Sequence, residues 1–184
     1  MKRKVPDWLL NARNKWTYTG QQRPNFAIAP EEGQLSVWDF PRPPALVPEK
    51  RKLEVLVKGQ TLALSLKALA VQETASPPTY YVPPEDVNQD LLVRIKGKNS
   101  LCEWKGASTY WALKEQPNKA VAWSYADPFS AFEALAHYVA FYPQYLECYL
   151  GDERVTPQPG GFYAGWITSE LVGPFKGEPG TGHW

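Results

Sequence analysis

Eighteen of the 184 residues are proline, roughly twice the usual share. Each proline holds its own φ near about −65° and pushes the preceding residue out of the helical region. Long helices therefore cannot be the main material of this chain. Eight tryptophans, ten tyrosines and seven phenylalanines exceed what the core of one domain of ~100–200 residues requires. The expectation is one mainly β, antiparallel domain, rich in turns, with aromatic walls, two or three short helices and long irregular termini.

Several function classes drop out early. Lys and Arg number 20 against 19 Asp and Glu, for a formal charge of +1, so no net field is available to hold a nucleic acid. No apolar run approaches the ~18 residues of a membrane span. The basic start is interrupted by Asn11, Arg13, Asn14 and Lys15 before a signal-type apolar stretch can form. A cytoplasmic protein is the expectation. Cys102 and Cys148 are the only cysteines, and His137 and His183 the only histidines. Neither pair has ligand spacing, so no metal is expected. Phosphate-cradling glycine loops and the G-x-S-x-G elbow are missing, and no cofactor is expected.

Along the chain, residues 1–35 read as a basic and aromatic extension. Two helical turns follow Pro6, with Trp8, Leu9 and Ala12 on one side, and Trp8 and Trp16 pin the segment to the domain. Its cations (Lys2, Arg3, Lys4, Arg13, Lys15, Arg23) read as a solvated face. Residues 36–150 form the β-rich domain. Pro41–Pro48 is a stiff extended stretch, followed by a hairpin with Leu53, Val55 and Val57 on one face. A Gly59-Gln60 turn leads to Leu62, Leu64 and Leu66, again on one face. Further strands are expected at 68–72, 79–82, 101–105, 108–114, 121–125 and 138–142, with a polar turn at Lys96-Gly-Lys-Asn. Short helices are expected over 84–92 and after Asp127-Pro, where acids and Pro suit a first turn. Residues 151–184 are rich in Gly and Pro but carry Phe162, Tyr163, Trp166, Phe175 and Trp184. This segment is expected to pack on the domain.

The chemistry-bearing residues cluster in three places. In Leu101-Cys-Glu-Trp-Lys-Gly-Ala-Ser-Thr-Tyr-Trp, a two-residue Gly106-Ala107 turn would oppose Glu103 to Tyr110 and Cys102 to Trp111. That would gather Glu103, Lys105 and Tyr110 for acid–base work, if burial tunes them. The plainer reading is a cross-strand ion pair in water. Glu73 ends an apolar strand, and Tyr80 and Tyr81 must face opposite sides, so Tyr81 is assigned to the pocket. Trp123-Ser-Tyr and His137-Tyr supply Trp123, Tyr125 and Tyr138, as core or as ligand wall. Cys102 reads more simply as a small buried hydrophobe than as a nucleophile.

These blocks resemble the domain of unknown function 427 family, which also carries a nucleotidyltransferase-like label. The resemblance covers roughly Ser36 to Tyr149 and rests on Ser36-Val-Trp-Asp-Phe-Pro-Arg-Pro-Pro, Glu73-Thr-Ala-Ser-Pro-Pro-Thr-Tyr-Tyr-Val-Pro-Pro, Cys102-Glu-Trp-Lys-Gly, Tyr110-Trp111, Ala122-Trp-Ser-Tyr and Tyr138-Val-Ala-Phe-Tyr-Pro. The ends are similar to a cyanobacterial or plastid-lineage version. The resemblance implies a compact two-sheet fold of the β-tent kind, as in methionine sulfoxide reductase B, and no established activity. Family members commonly carry Ser-His-Pro-Pro after Glu-Thr. Ala75 and Ser76 stand there instead, so a general base at that histidine is not available.

The preferred function is binding of an unknown small molecule in an aromatic pocket. Glu73, Glu103 and Lys105 are the candidate catalytic groups, and Tyr81, Tyr110, Trp111, Trp123, Tyr138 and Cys102 the candidate ligand contacts. The alternative is a non-enzymatic protein-interaction module presenting the aromatic ends. Nucleotidyl transfer needs paired acids for Mg²⁺ and a phosphate-binding glycine turn, and the chain has neither an Asp-x-Asp nor such a turn. The residues leave the oligomeric state open.

Overall fold

The computed structural model describes residues 5–184; Lys2, Arg3 and Lys4 of the basic extension lie outside the described residues. Helix α1 (Asp7–Arg13) precedes β1 (Leu35–Ser36), β2 (Ala45–Pro48), β3 (Leu53–Val57), β4 (Gln60–Ser65), β5 (Leu69–Glu73) and β6 (Ser76–Val82). Then come β7 (Leu92–Cys102), β8 (Gly106–Leu113), β9 (Ala120–Ser124), β10 (Val139–Phe141), β11 (Glu147–Leu150) and β12 (Glu153–Arg154). The C-terminal segment adds β13 (Thr156–Pro157), β14 (Trp166–Ile167) and β15 (Leu171–Val172). Seven strands pair in the order β2-β5-β6-β10-β9-β8-β7, and four in the order β12-β11-β3-β4. Both sheets are antiparallel throughout. The mainly β architecture expected from the proline content is the one observed. Among the described residues, no helix is long and apolar enough to cross a membrane.

The principal core lies between the sheets. Leu53, Val55 and Leu62 of the smaller sheet meet Val82, Ala122 and Phe141 of the larger, none of them measurably exposed. Each such large side chain contributes about 1.5–3 kcal/mol on burial. The hairpin between β3 and β4 turns at Lys58-Gly59, one residue earlier than the sequence suggests. Both residues have positive φ, 50° and 76°, the pair of left-handed residues a tight two-residue hairpin turn requires. The register then slips, with Leu56 facing Thr61 and Val55 facing Ala63. Leu62 is the extra residue, and the bulge inverts the face beyond it. Ala63 and Ser65 are buried, while Leu64 and Leu66 point to water at 49% and 69% exposure. The expected shared face of Leu62, Leu64 and Leu66 is thereby corrected.

Other local expectations change for similar tertiary reasons. Residues 84–92 form two 3₁₀ turns, Pro84–Asp86 and Gln89–Leu91, because buried Val87 between them bridges to Ala63 in extended form. The helix after Asp127 is a 3₁₀ segment over Ser130–Leu135, capped by Phe129, whose N–H donates to the Lys105 carbonyl at 3.1 Å. The polar turn at 96–99 is a bulge inside one long strand: Arg94 pairs with Trp111 and Asn99 with Thr109. Four residues are thus looped out opposite Tyr110.

The two ends of the chain pair with each other, and β14 and the 3₁₀ turn Val37–Asp39 pack against β6 of the larger sheet. β1 pairs with β15, and β13 with β14. Trp38, Val37 and Phe40 form a third buried cluster with Ala75 and Leu171, against which Tyr18 and Trp184 pack. Gly177 permits the final wrap: with φ +133°, a β-carbon there would sit 2.0 Å from the Pro159 carbonyl oxygen. In α1, Leu9 is buried and Trp8 is 61% exposed, so Trp8 is not the pin the pattern suggests. Trp16 is.

Candidate functional site

On the sheet face turned away from the principal core, the ladder lines up one row of side chains. Tyr81 on β6 pairs with Ala140 on β10, Ala140 with Trp123 on β9, and Trp123 with Tyr110 on β8. Directly paired residues share a face, so the four form a floor whose Tyr81, Trp123 and Tyr110 line the space while Ala140 is wholly buried among them. Tyr81 and Trp123 meet edge to face at 6.1 Å, and Tyr142 tilts onto Trp123 at 4.7 Å. A cavity of about 430 Å³ lies over this floor, within the usual range for small-molecule sites. Tyr80, one residue along, faces the other side and packs on Trp166, as strand alternation dictates.

The turn between β7 and β8 supplies the cationic end. Cys102 pairs with Gly106, which leaves Glu103, Trp104 and Lys105 as a three-residue connection closed by Gly106 at φ +98°. The expected Gly106-Ala107 turn and the Glu103–Tyr110 pairing are therefore corrected. Strand geometry does not place Glu103 and Lys105; the loop does. Lys105 is 7% exposed. Its ammonium lies 5.8 Å from the Phe132 ring centre, beside the Cys102 thiol and the Tyr81 phenol. Burial alone would lower this amine, but Cys102, Tyr81 and Glu73 outweigh it and the net direction is upward. Burial also pushes the Tyr81 and Tyr125 phenols up, so both remain O–H donors at neutral pH. Tyr110 donates to or accepts from Ser100 Oγ at 2.8 Å.

The opposite wall comes from the chain ends. Trp16 Nε1 donates to Glu103 Oε1 at 2.7 Å. Arg42, almost wholly buried, donates from Nε to Glu73 Oε1 at 3.2 Å and also reaches the Tyr18 and Thr74 carbonyls. Its guanidinium stacks on Trp16 at 4.3 Å, and the Lys176 ammonium lies 4.0 Å from the centre of the same ring. Lys176 Nζ donates to the Trp184 carbonyl at 2.7 Å. Burial first, then the Arg42 charge, lower its pKa to about 8, against the opposing pull of Glu73 and Glu103. Each carboxylate thus commits Oε1 to the protein scaffold, and no side chain among the described residues engages Oε2 of either.

Of the residues singled out by sequence, Glu73, Tyr81, Cys102, Glu103, Lys105, Tyr110 and Trp123 all line the cavity. Trp111 does not. Next to Tyr110 on β8, it faces the inter-sheet core, and its Nε1 donates to Ser124 Oγ at 2.9 Å. Tyr138 precedes β10 and packs half-buried on the Tyr81 cluster, outside the cavity. Trp16, Gln158, Tyr163 and Lys176 line the cavity, and Arg42 stands behind it; sequence reasoning assigned none of them to the site. The recurring aromatics of the C-terminal segment hinted at Tyr163. No local pattern marks Lys176 or Arg42. Among the described residues, no group of three or more His, Cys, Asp or Glu could hold a metal ion.

No curated protein matches the chain. A family model described as a domain of unknown function (DUF427) matches residues 45–152, the stretch that carries the cavity floor, the Glu103–Lys105 turn and Glu73. The protein belongs to this family.

Proposed function

We propose that the cavity binds a small organic molecule, held by aromatic faces and oriented by Glu73, Glu103, Lys105 and the Tyr81 hydroxyl. The observation that carries this reading is convergence. Two carboxylates, two amines and several phenols drawn from β5, β6, β7–β8 and the C-terminal segment meet around one space of about 430 Å³. Polar groups are rarely placed inside apolar walls without partners to serve. In this reading Glu73 and Glu103 are the acid–base candidates for any reaction, each with one oxygen uncommitted, and Lys105 is the ion-holding group.

Native mass spectrometry on protein purified without displacing bound molecules tests the proposal, alongside a fragment screen by thermal shift. The expected result is a bound species lost in Thr79→Trp, which fills the cavity from β6 while circular dichroism stays unchanged. No bound species and no shift with any fragment would sink it. A second reading, as a protein-interaction module, is favoured by Trp8, 61% exposed and outside the cavity lining. Under it, Trp8→Ser would abolish activity in complementation of a deletion strain and leave fragment binding intact.

A further inference from the structure

The charges around the cavity do not balance. Arg42 is matched by Glu73 at 3.2 Å, and Lys176 lies in the field of both Glu73 and Glu103. Arg13 stands outside, half-exposed, on the face of Trp104 at 4.7 Å. Two carboxylates therefore stand against three cations, Arg42, Lys176 and Lys105; Glu73 acts on all three, and one positive charge is in excess. Among the described residues no carboxylate comes within 4.0 Å of the Lys105 ammonium. Its immediate neighbours are a thiol, a phenol and the Phe132 ring. A buried ammonium without a counter-ion is costly, and this one lines an open cavity.

Resting on the binding reading above, we infer that the cavity takes a small organic monoanion: a carboxylic acid on a flat, unsaturated body. The carboxylate meets the Lys105 ammonium and the Tyr81 hydroxyl, and the body lies against the Trp123 and Tyr142 rings. A monoanion fits because one positive charge is unmatched. A phosphate dianion would leave surplus negative charge beside Glu73 and Glu103, and among the described residues no arginine lines the cavity to take it up. A flat body fits because the lining is largely aromatic, with Trp16, Trp104, Tyr110, Trp123 and Tyr142 offering ring faces and edges to the space.

The test uses 2-naphthoate and its neutral isostere 2-naphthamide, titrated calorimetrically into the intact protein. The expected result is about tenfold or greater preference for the acid, kept in Lys105→Arg and lost in Lys105→Met, read within each variant as the ratio of the two affinities. Lys105→Arg covers the case in which the uncharged variant does not fold. Equal affinity for the two probes, or a preference that survives Lys105→Met, overturns the inference and leaves the pocket standing. If neither probe binds while neutral fragments do, the acid assignment falls alone; if nothing binds, both readings fall. Alkylation of Cys102 by iodoacetamide as fast at pH 6 as at pH 9 also overturns it, because a thiolate would then supply the missing charge.

Discussion

The floor of the cavity and its outer wall are built by different physics. The floor residues Tyr81, Ala140, Trp123 and Tyr110 occupy successive positions of one hydrogen-bonded ladder, and their reverse side rests on the inter-sheet core. Nothing short of unfolding the sheet moves them. The wall residues Trp16, Arg42 and Lys176 come from segments with little regular structure. A few long-range contacts hold them: one indole hydrogen bond, one guanidinium with three acceptors, and two cations on one indole face. The floor should therefore be cooperative with global stability, and the wall able to loosen on its own.

The largest expected effect lies beneath the floor. Phe141→Ala, at a site with no exposure, should cost about 3–5 kcal/mol and move the whole denaturation curve as one transition. Arg42→Met comes next. It removes three hydrogen bonds and the partner of Glu73, for a loss of about 2–4 kcal/mol. Hydrogen exchange should show protection lost around residues 16–42 and 158–176 while β6, β9 and β10 keep theirs. Equal loss in those strands would break the distinction between floor and wall. Smaller still is Trp16→Phe, which keeps an aromatic face under Arg42 but deletes the donor to Glu103. About 1–2 kcal/mol is expected, with most of it absent when Glu103→Gln is already in place, as a double-mutant cycle would read.

The pH dependence of Lys176 reads the wall at a single charge. Its amine titrates at about 8 in the fold against 10.5 ordinarily. Between those values the unfolded chain binds more protons, so the folded state gains stability as pH rises from about 8 to 10.5. Urea unfolding across that window should show the rise in the wild-type protein and a flatter profile in Lys176→Met. An identical slope in both would mean that the wall does not desolvate this amine.

How much of this was legible in the sequence depended on whether a residue's direction was set locally. Alternation sends Tyr80 and Tyr81 to opposite faces, and it did. The same rule put Leu64 and Leu66 beside Leu62, and failed because the extra residue at Leu62 reverses every face after it. Glu103, Lys105 and Tyr110 were expected in one place and line one cavity, though the pairing that was to bring them there does not exist. A bulge and a three-residue turn substitute for it, and neither has a sharp signature in Ile95-Lys-Gly-Lys or Glu103-Trp-Lys. Trp111 went to the core because alternation turns it away from Tyr110, the same rule that separates Tyr80 from Tyr81.

The amino-acid order alone determined the class of fold: prolines forbade long helices, and alternating apolar strands demanded sheets whose two faces could both be covered. It also determined which polar groups sit within apolar segments. Only the tertiary structure decided that the second covered face belongs to the chain's own ends, and that Trp16, Arg42 and Lys176 close over Glu73 and Glu103. The reason is range. Backbone alternation acts over two residues and is written in the local pattern, whereas an indole meeting a carboxylate 87 positions away depends on every register and bulge between them.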